Sequence, residues 1–275
     1  MKFNFTRAFL CLTVVAFSFT ACKKSALSPL STPDDPKMDS LVSQVATGFI
    51  RSFNGKLGAI NINDGIKAPA KVAAIRRGPV VASIQPMCGS VIDTNYMSTI
   101  IAGDTTKFAS EKFNFIYTCS TNYLDGYKVT DTVENRKVGT GFYSDSTFSE
   151  NLVVQATDNT YKLASVSGNS SVYSYKGKTA PANVPTGFIR STQSYSFFDT
   201  QVNLSAGTPY FSGEAQFIID ATDINGKSVR YSGIMFFGKT TIVMNVDMPN
   251  SANATNGESY NVNVLTGKVK FAGYF

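Results

Sequence analysis

The chain of 275 residues contains no histidine and no tryptophan. Without histidine there is no Ser-His-Asp or Cys-His arrangement, no imidazole ligand for zinc, and no general base titrating naturally near neutral pH. Serine chemistry would then need a lysine partner, and no Ser-x-x-Lys occurs; Lys176 follows Tyr173, not a serine, at that spacing. Tryptophan, the common stacking platform for sugars, is missing, although 13 tyrosines leave some stacking capacity. Charge is sparse at 16% of residues, with a net +6. Basic residues gather only in pairs such as Lys23-Lys24 and Arg76-Arg77, so there is no basic face of the kind a nucleic-acid module needs. No Cys-x-x-Cys is present. These absences argue against an enzyme, and no cofactor or metal is expected. Asp220 and Asp223 flank a turn and read as turn formers, since a Ca²⁺ loop needs more oxygen ligands.

Long hydrophobic runs are also absent. The longest, Phe9 to Phe17, falls short of the roughly 20 residues that cross a bilayer. With Lys2 and Arg7 before it and small residues after it, the segment 1–22 has the three parts of an export signal. A buried N-terminal helix and a plain secretory signal are the alternatives. Phe19-Thr20-Ala21-Cys22 resembles the bacterial lipobox, in which the cysteine is diacylated and becomes the first mature residue. Phe19 stands where leucine is usual, a tolerance similar to that of lipoproteins of the Bacteroidota. The resemblance implies lipidation of Cys22 and a stable anchor, since more than one acyl chain holds a protein firmly on a membrane. It also implies an outer-membrane location. Lys23 and Lys24 stand where surface-exposed lipoproteins of this group carry acids, which favours the periplasmic side. Removing Lys2 and Arg7 with the signal lowers the net charge from +6 to +4.

Residues 23–37, KKSALSPLSTPDDPK, have no hydrophobic periodicity and read as a flexible tether reaching roughly 20 Å. Residues 38–275 are expected to form one β-rich domain that begins with a helix at 38–53. Met38, Leu41, Val42, Val45, Phe49 and Phe53 recur at three- and four-residue spacing on one face. Asp35 is placed to cap this helix, Pro36 to open it and Asn54-Gly55 to end it. Gly48 is expected to weaken it by about 1 kcal/mol relative to alanine.

With Cys11 in the signal and Cys22 acylated, Cys88 and Cys119 remain. In an oxidising compartment such a pair reads as a disulfide; two free thiols and a redox pair are the alternatives.

"LGAINI" and "VVASI" look like short strands, and "MSTIIAG" fits strand or helix. From Phe113 onward the chain alternates with period two. Turns are expected at Asn135-Arg136, Asp145-Ser146, Asp158-Asn159 and, most strongly, Asn225-Gly226. With no strand–helix–strand pattern, the expected fold is mainly β: an antiparallel sheet forming a sandwich or an open half-barrel, with one helix packed on it. This order of helix and curved sheet is also similar to the periplasmic lipoprotein carriers, whose open barrel holds acyl chains under a helical lid.

Among 21 phenylalanines, Phe197, Phe198, Phe211, Phe217, Phe236 and Phe237 fall in neighbouring strands. They read either as core or as the lining of an apolar cavity. Four short stretches, Asp39-Ser40-Leu41, Asp104-Thr105-Thr106, Asp131-Thr132-Val133 and Asp145-Ser146-Thr147, resemble the O-glycosylation motif of exported Bacteroidota proteins, with Ser146 the best exposed. The functional expectation is a non-enzymatic, membrane-anchored binding protein for a lipid or other apolar ligand, or for an envelope protein. The rival is an assembly component, fimbrillin-like or part of an outer-membrane complex.

Overall fold

The computed structural model describes residues 36–58, 60–61, 88–120, 123–179, 185–204, 210–223, 225–247 and 257–275. Residues 1–22, expected to be an export signal ending at Cys22, nearly all of the expected tether, Asp35 and "VVASI" lie outside them. Among the described residues, no helix is long and apolar enough to cross a membrane.

The helix, α1, spans Pro36–Phe53. Its buried side chains are Met38, Val42, Val45, Ala46, Phe49, Ser52 and Phe53, the stripe that the sequence spacing predicts with Leu41 at its partly buried margin. Arg51 lies in the last turn, where a cation is favoured by the carbonyl end of the helix dipole. Gly55 follows in the left-handed region at φ 70° and ends the helix as expected. The described part of "LGAINI" contributes only an isolated bridge between Asn54 and Asn61.

Eleven strands follow: β1 Val91–Ala102, β2 Thr105–Ser120, β3 Tyr123–Gly139, β4 Phe142–Ala156, β5 Leu163–Thr179, β6 Pro185–Asn203, β7 Tyr210–Thr222, β8 Ser228–Phe237, β9 Thr241–Asp247, β10 Gly257–Asn263 and β11 Val269–Tyr274. Each pairs antiparallel with the next, giving one sheet in the order β1 to β11 that does not close on itself. Of the two expected architectures, the open single sheet is the one adopted. Met97 to Ala102 of "MSTIIAG" belong to β1, and Gly103 opens the turn after it.

One face of this sheet is buried from Ile92 in β1 to Val262 in β10, in a single cluster that includes α1. Laid flat, eleven strands would span about 50 Å, far more than a helix about 10 Å thick can cover. α1 lies against its β6–β8 part, and Gly58, beyond the helix, packs on Asp131, Phe148 and Glu150 of β3 and β4. Bulges bend individual strands. In β6, Phe197 faces Ala215 and Asp199 faces Glu214, so Phe198 is the extra residue. Inward positions run Tyr195, Phe197 and then Thr200, Val202, with the parity shifted across the bulge.

Two expected turns are corrected. Asn135-Arg136 lies inside β3 and Asp145-Ser146 inside β4, where Arg136 faces Asp145 across the ladder and the two form an ion pair at 3.8 Å. The true reversal lies between Gly139 and Phe142, with Gly141 at φ 78°. "KVGTGFYSD" is thus not one strand but the ends of two. The other turns stand. Asp158 Oδ1 accepts the amides of Lys162 and Leu163 after β4. Between β7 and β8, Asp223 Oδ1 accepts the amides of Asn225 and Lys227.

Candidate functional site

Phe49 is the centre of the largest aromatic assembly among the described residues. It is fully buried, and its ring lies 4.5 Å from Phe237, 5.0 Å from Phe211, 5.2 Å from Phe53, 5.8 Å from Phe197 and 6.2 Å from Tyr195. Rings at these distances add edge and stacking contacts to ordinary area burial. The assembly joins α1 to β6, β7 and β8.

Tyr195 fastens the helix from below. Its hydroxyl donates to the carbonyl of Val45 at 2.9 Å, with Gln193 Oε1 3.0 Å away. Burial pushes its phenol far above the usual tyrosine range, against a smaller opposing effect of the Phe49 backbone. On the other flank, Ser43 donates to the carbonyl of Gly267 in the turn after β10.

A cavity of about 470 Å³ opens beside the C-terminal half of α1. Its wall is apolar: Phe49, Ile50, Phe53, Phe211, Phe237 and Ile242. Val264 and Leu265, from the turn before β11, extend it, with Leu265 81% exposed, and Thr47, Asn54, Tyr210 and Thr266 add polar groups to the lining. Three cations share the lining: Arg51 from the last turn of α1, Lys56 just beyond the helix, and Lys239 from the turn between β8 and β9. All three are exposed, and among the described residues no aspartate or glutamate joins them in the lining. The volume lies within the range of small-molecule pockets, and apolar walls with a few placed polar groups are their usual composition.

Of the six phenylalanines singled out in the sequence, Phe211 and Phe237 line this cavity. Phe197 packs against Phe49 and Phe53, part of the wall's support. Phe217 is buried elsewhere on the inner face, where its ring covers Gly233. Phe198 and Phe236 are corrected: they are 52% and 38% exposed and point away from the cavity. Side chains alternate across a strand, so Phe236 cannot share a face with Phe237, and the bulge turns Phe198 outward.

Cys88 and Cys119 are joined as a disulfide, sulfurs 2.06 Å apart. The bond ties the residues just before β1 to the end of β2. Ser146, expected in an exposed turn, is half-buried in mid-strand, where its hydroxyl donates to the Asn135 carbonyl at 3.5 Å. Among the four hydroxyls flanked by these aspartates, Ser40 is the exposed one.

Sequence reasoning missed two acids. Asp131 and Glu150 face each other across β3 and β4 and are buried at 0% and 2% exposure. The next position across the sheet is Ser170, followed by Tyr195, so a polar row crosses the inner face. Each acid has a partner, and Gly58 packs so closely that a β-carbon there would stand 2.8 Å from Glu150 Oε1 and 3.1 Å from Asp131 Oδ2. Neither carboxylate lines the cavity. Among the described residues, no three acidic or cysteine side chains cluster in a way that would hold a metal ion.

No protein-family model, curated protein or solved structure matches this chain.

Proposed function

We propose that the protein is a lipid-anchored, non-enzymatic binding protein of the cell envelope that takes an apolar ligand in the cavity beside α1. The observation that carries this is the cavity itself: about 470 Å³, walled by phenylalanine and isoleucine and open to solvent at the helix end. The sequence around Cys22 supplies the anchor and the compartment, the periplasmic face of an outer membrane. The tether expected at 23–37, less Pro36 and Lys37, which belong to α1, then leaves the domain free to meet its ligand near the membrane.

Two measurements test this. N-phenyl-1-naphthylamine, a neutral dye that brightens in apolar sites, should fluoresce with the delipidated full-length protein. Val264→Trp, which fills the mouth, should abolish the signal. A dye that stays dark, or shines equally with that variant, removes the cavity from consideration. Separately, Cys22→Ser should move the protein from the membrane to the soluble fraction; retention on the membrane would refute the anchor.

A second function, assembly with an envelope partner through a sheet edge, is favoured by β1. Among the described residues this strand pairs only with β2, and Tyr96, Met97, Ile100 and Ile101 are all more than half exposed. Edge strands of this kind are templates for further pairing. Ile101→Lys should abolish any oligomer seen in solution; a wild-type protein that remains monomeric at high concentration would exclude pairing between copies.

A further inference from the structure

We infer that the ligand of the cavity is a single-chain amphiphile ending in an anionic head group, its chain against Phe49, Phe211, Phe237 and Ile242 and its head held by Arg51, Lys56 and Lys239. This rests on the binding function proposed above and names the class of molecule that the site selects.

The charge distribution carries the argument. Three cations meet at one opening of a chain in which only 16% of residues are charged, and among the described residues the lining contains no acid to balance them. Among the described residues, ion pairs involving arginine lie elsewhere, at Arg136–Asp145 and Arg230–Asp220. The helix dipole accounts for two of the three, since Arg51 and Lys56 stand at the carbonyl end of α1. It gives no reason for Lys239, which arrives from a different element. Lys239 is also steered: its ammonium lies 5.8 Å from the centre of the Tyr210 ring, over the same opening.

Three like charges around a small apolar opening repel one another, and an anion between them removes that repulsion. The carbonyl end of α1 itself repels an anion, so the side chains and not the backbone must hold it. Arg51 can present two parallel N–H groups to a carboxylate or phosphate, and the two lysines add point charges. A neutral lipid would leave the cations without a role, and a cationic one would be repelled. The volume, toward the lower end for a small-molecule site, suits one chain.

The experiment is competition against N-phenyl-1-naphthylamine by four 12-carbon compounds at low salt: dodecanoate, dodecyl phosphate, dodecanol and dodecylamine. The two anions should displace the dye at about tenfold lower concentration than dodecanol, the factor that two or three partly screened charge contacts supply. The better of the two identifies the head group as carboxylate or phosphate. In the variant R51Q/K56Q/K239Q, and in the single variant K239E, that preference should disappear while the dye still binds. It should also shrink in high salt, where exposed charges are screened. If dodecanol or dodecylamine competes as well as the anions while the dye binds normally, the head-group inference is overturned and the apolar site stands. If the dye fails to bind at all, the site falls and the inference with it.

Discussion

The hydroxyl of Tyr195 donates to the Val45 carbonyl at 2.9 Å and lies 2.6 Å from the place where a β-carbon on Gly48 would stand. Gly48 is thus a point at which the backbone of α1 comes close to β6, and the helix-weakening glycine is a contact requirement. Gly48→Ala should gain about 1 kcal/mol of helix propensity yet destabilise the protein by roughly 1–3 kcal/mol overall, since it drives a methyl into a buried phenol. Tyr195→Phe alone should cost about 1 kcal/mol through the lost hydrogen bond. Together the two should cost less than their sum, because removing the hydroxyl makes room for the methyl. Denaturant midpoints of the two singles and the double measure this; strict additivity would mean that the two groups do not compete for space.

Tyr195 also predicts how stability responds to alkali. Its phenol titrates near 10 in the unfolded chain and far higher when folded, because burial disfavours the phenolate. Below pH 10 both states keep the proton and pH has no effect through this group. Above pH 10 the unfolded chain releases it while the folded one retains it, so stability falls by up to about 1.4 kcal/mol per pH unit. Tyr195→Phe lacks this contribution. Urea midpoints at pH 9, 10 and 11 should therefore decline more steeply for the wild type; parallel declines would show that the phenol ionises freely in the folded state.

The disulfide gives a third expectation. Cys88 precedes β1 and Cys119 lies at a bulge in β2, with a separation of 31 residues. Next to the bond, Gly89 donates to the Tyr117 carbonyl and Tyr117 to that of Ser90, each at 3.1 Å, so the ladder already brings these ends together. The bond's main effect is then on the unfolded chain, where closing such a loop is worth about 3 kcal/mol on the chain-entropy model. Cys88→Ser/Cys119→Ser should be less stable by that amount, and reductant should leave its urea midpoint unchanged while lowering that of the wild type. Equal midpoints for variant and oxidised wild type would contradict this.

What was legible in the sequence follows from the physics of each element. The stripe of α1 was readable because only one face of the helix meets the sheet. The strands after Phe113 were readable because one face is buried and the other is wet, which enforces alternation. The same rule already implied that Phe236 and Phe237 must diverge. Applied to β3, it would have put Asp131 on the face shared by Tyr127 and Val129, the one signal by which the missed polar row could have been found. The turns at Asn135-Arg136 and Asp145-Ser146 were misread because polar turn-forming residues there face solvent on long strands, and pair with each other instead of reversing the chain. The bulge at Phe198 leaves no composition cue, since it depends on how far β6 must bend around α1. An apolar cavity was one of the two readings of Phe211 and Phe237, but its cationic rim was out of reach, because Arg51, Lys56 and Lys239 come together only through the fold.

Two glycines with similar φ make the last prediction a controlled one. Gly226, in the turn between β7 and β8, has φ 79°, and a β-carbon there would meet nothing within 4 Å. Gly213, in β7, has φ 84°, faces Thr200 beside the bulge, and its β-carbon would stand 1.8 Å from the Asp199 carbonyl oxygen. Gly226→Ala therefore carries only the left-handed backbone penalty, about 1–2 kcal/mol. Gly213→Ala carries that and a clash with backbone that cannot swing aside while β6 and β7 stay paired, so its effect should exceed about 4 kcal/mol, among the largest for a single substitution. The same substitution at like φ separates strain from contact. Thermal unfolding of the two variants side by side checks it. Equal losses would mean that the bulge at Phe198 yields easily and does not fix the curvature on which α1 and its cavity depend.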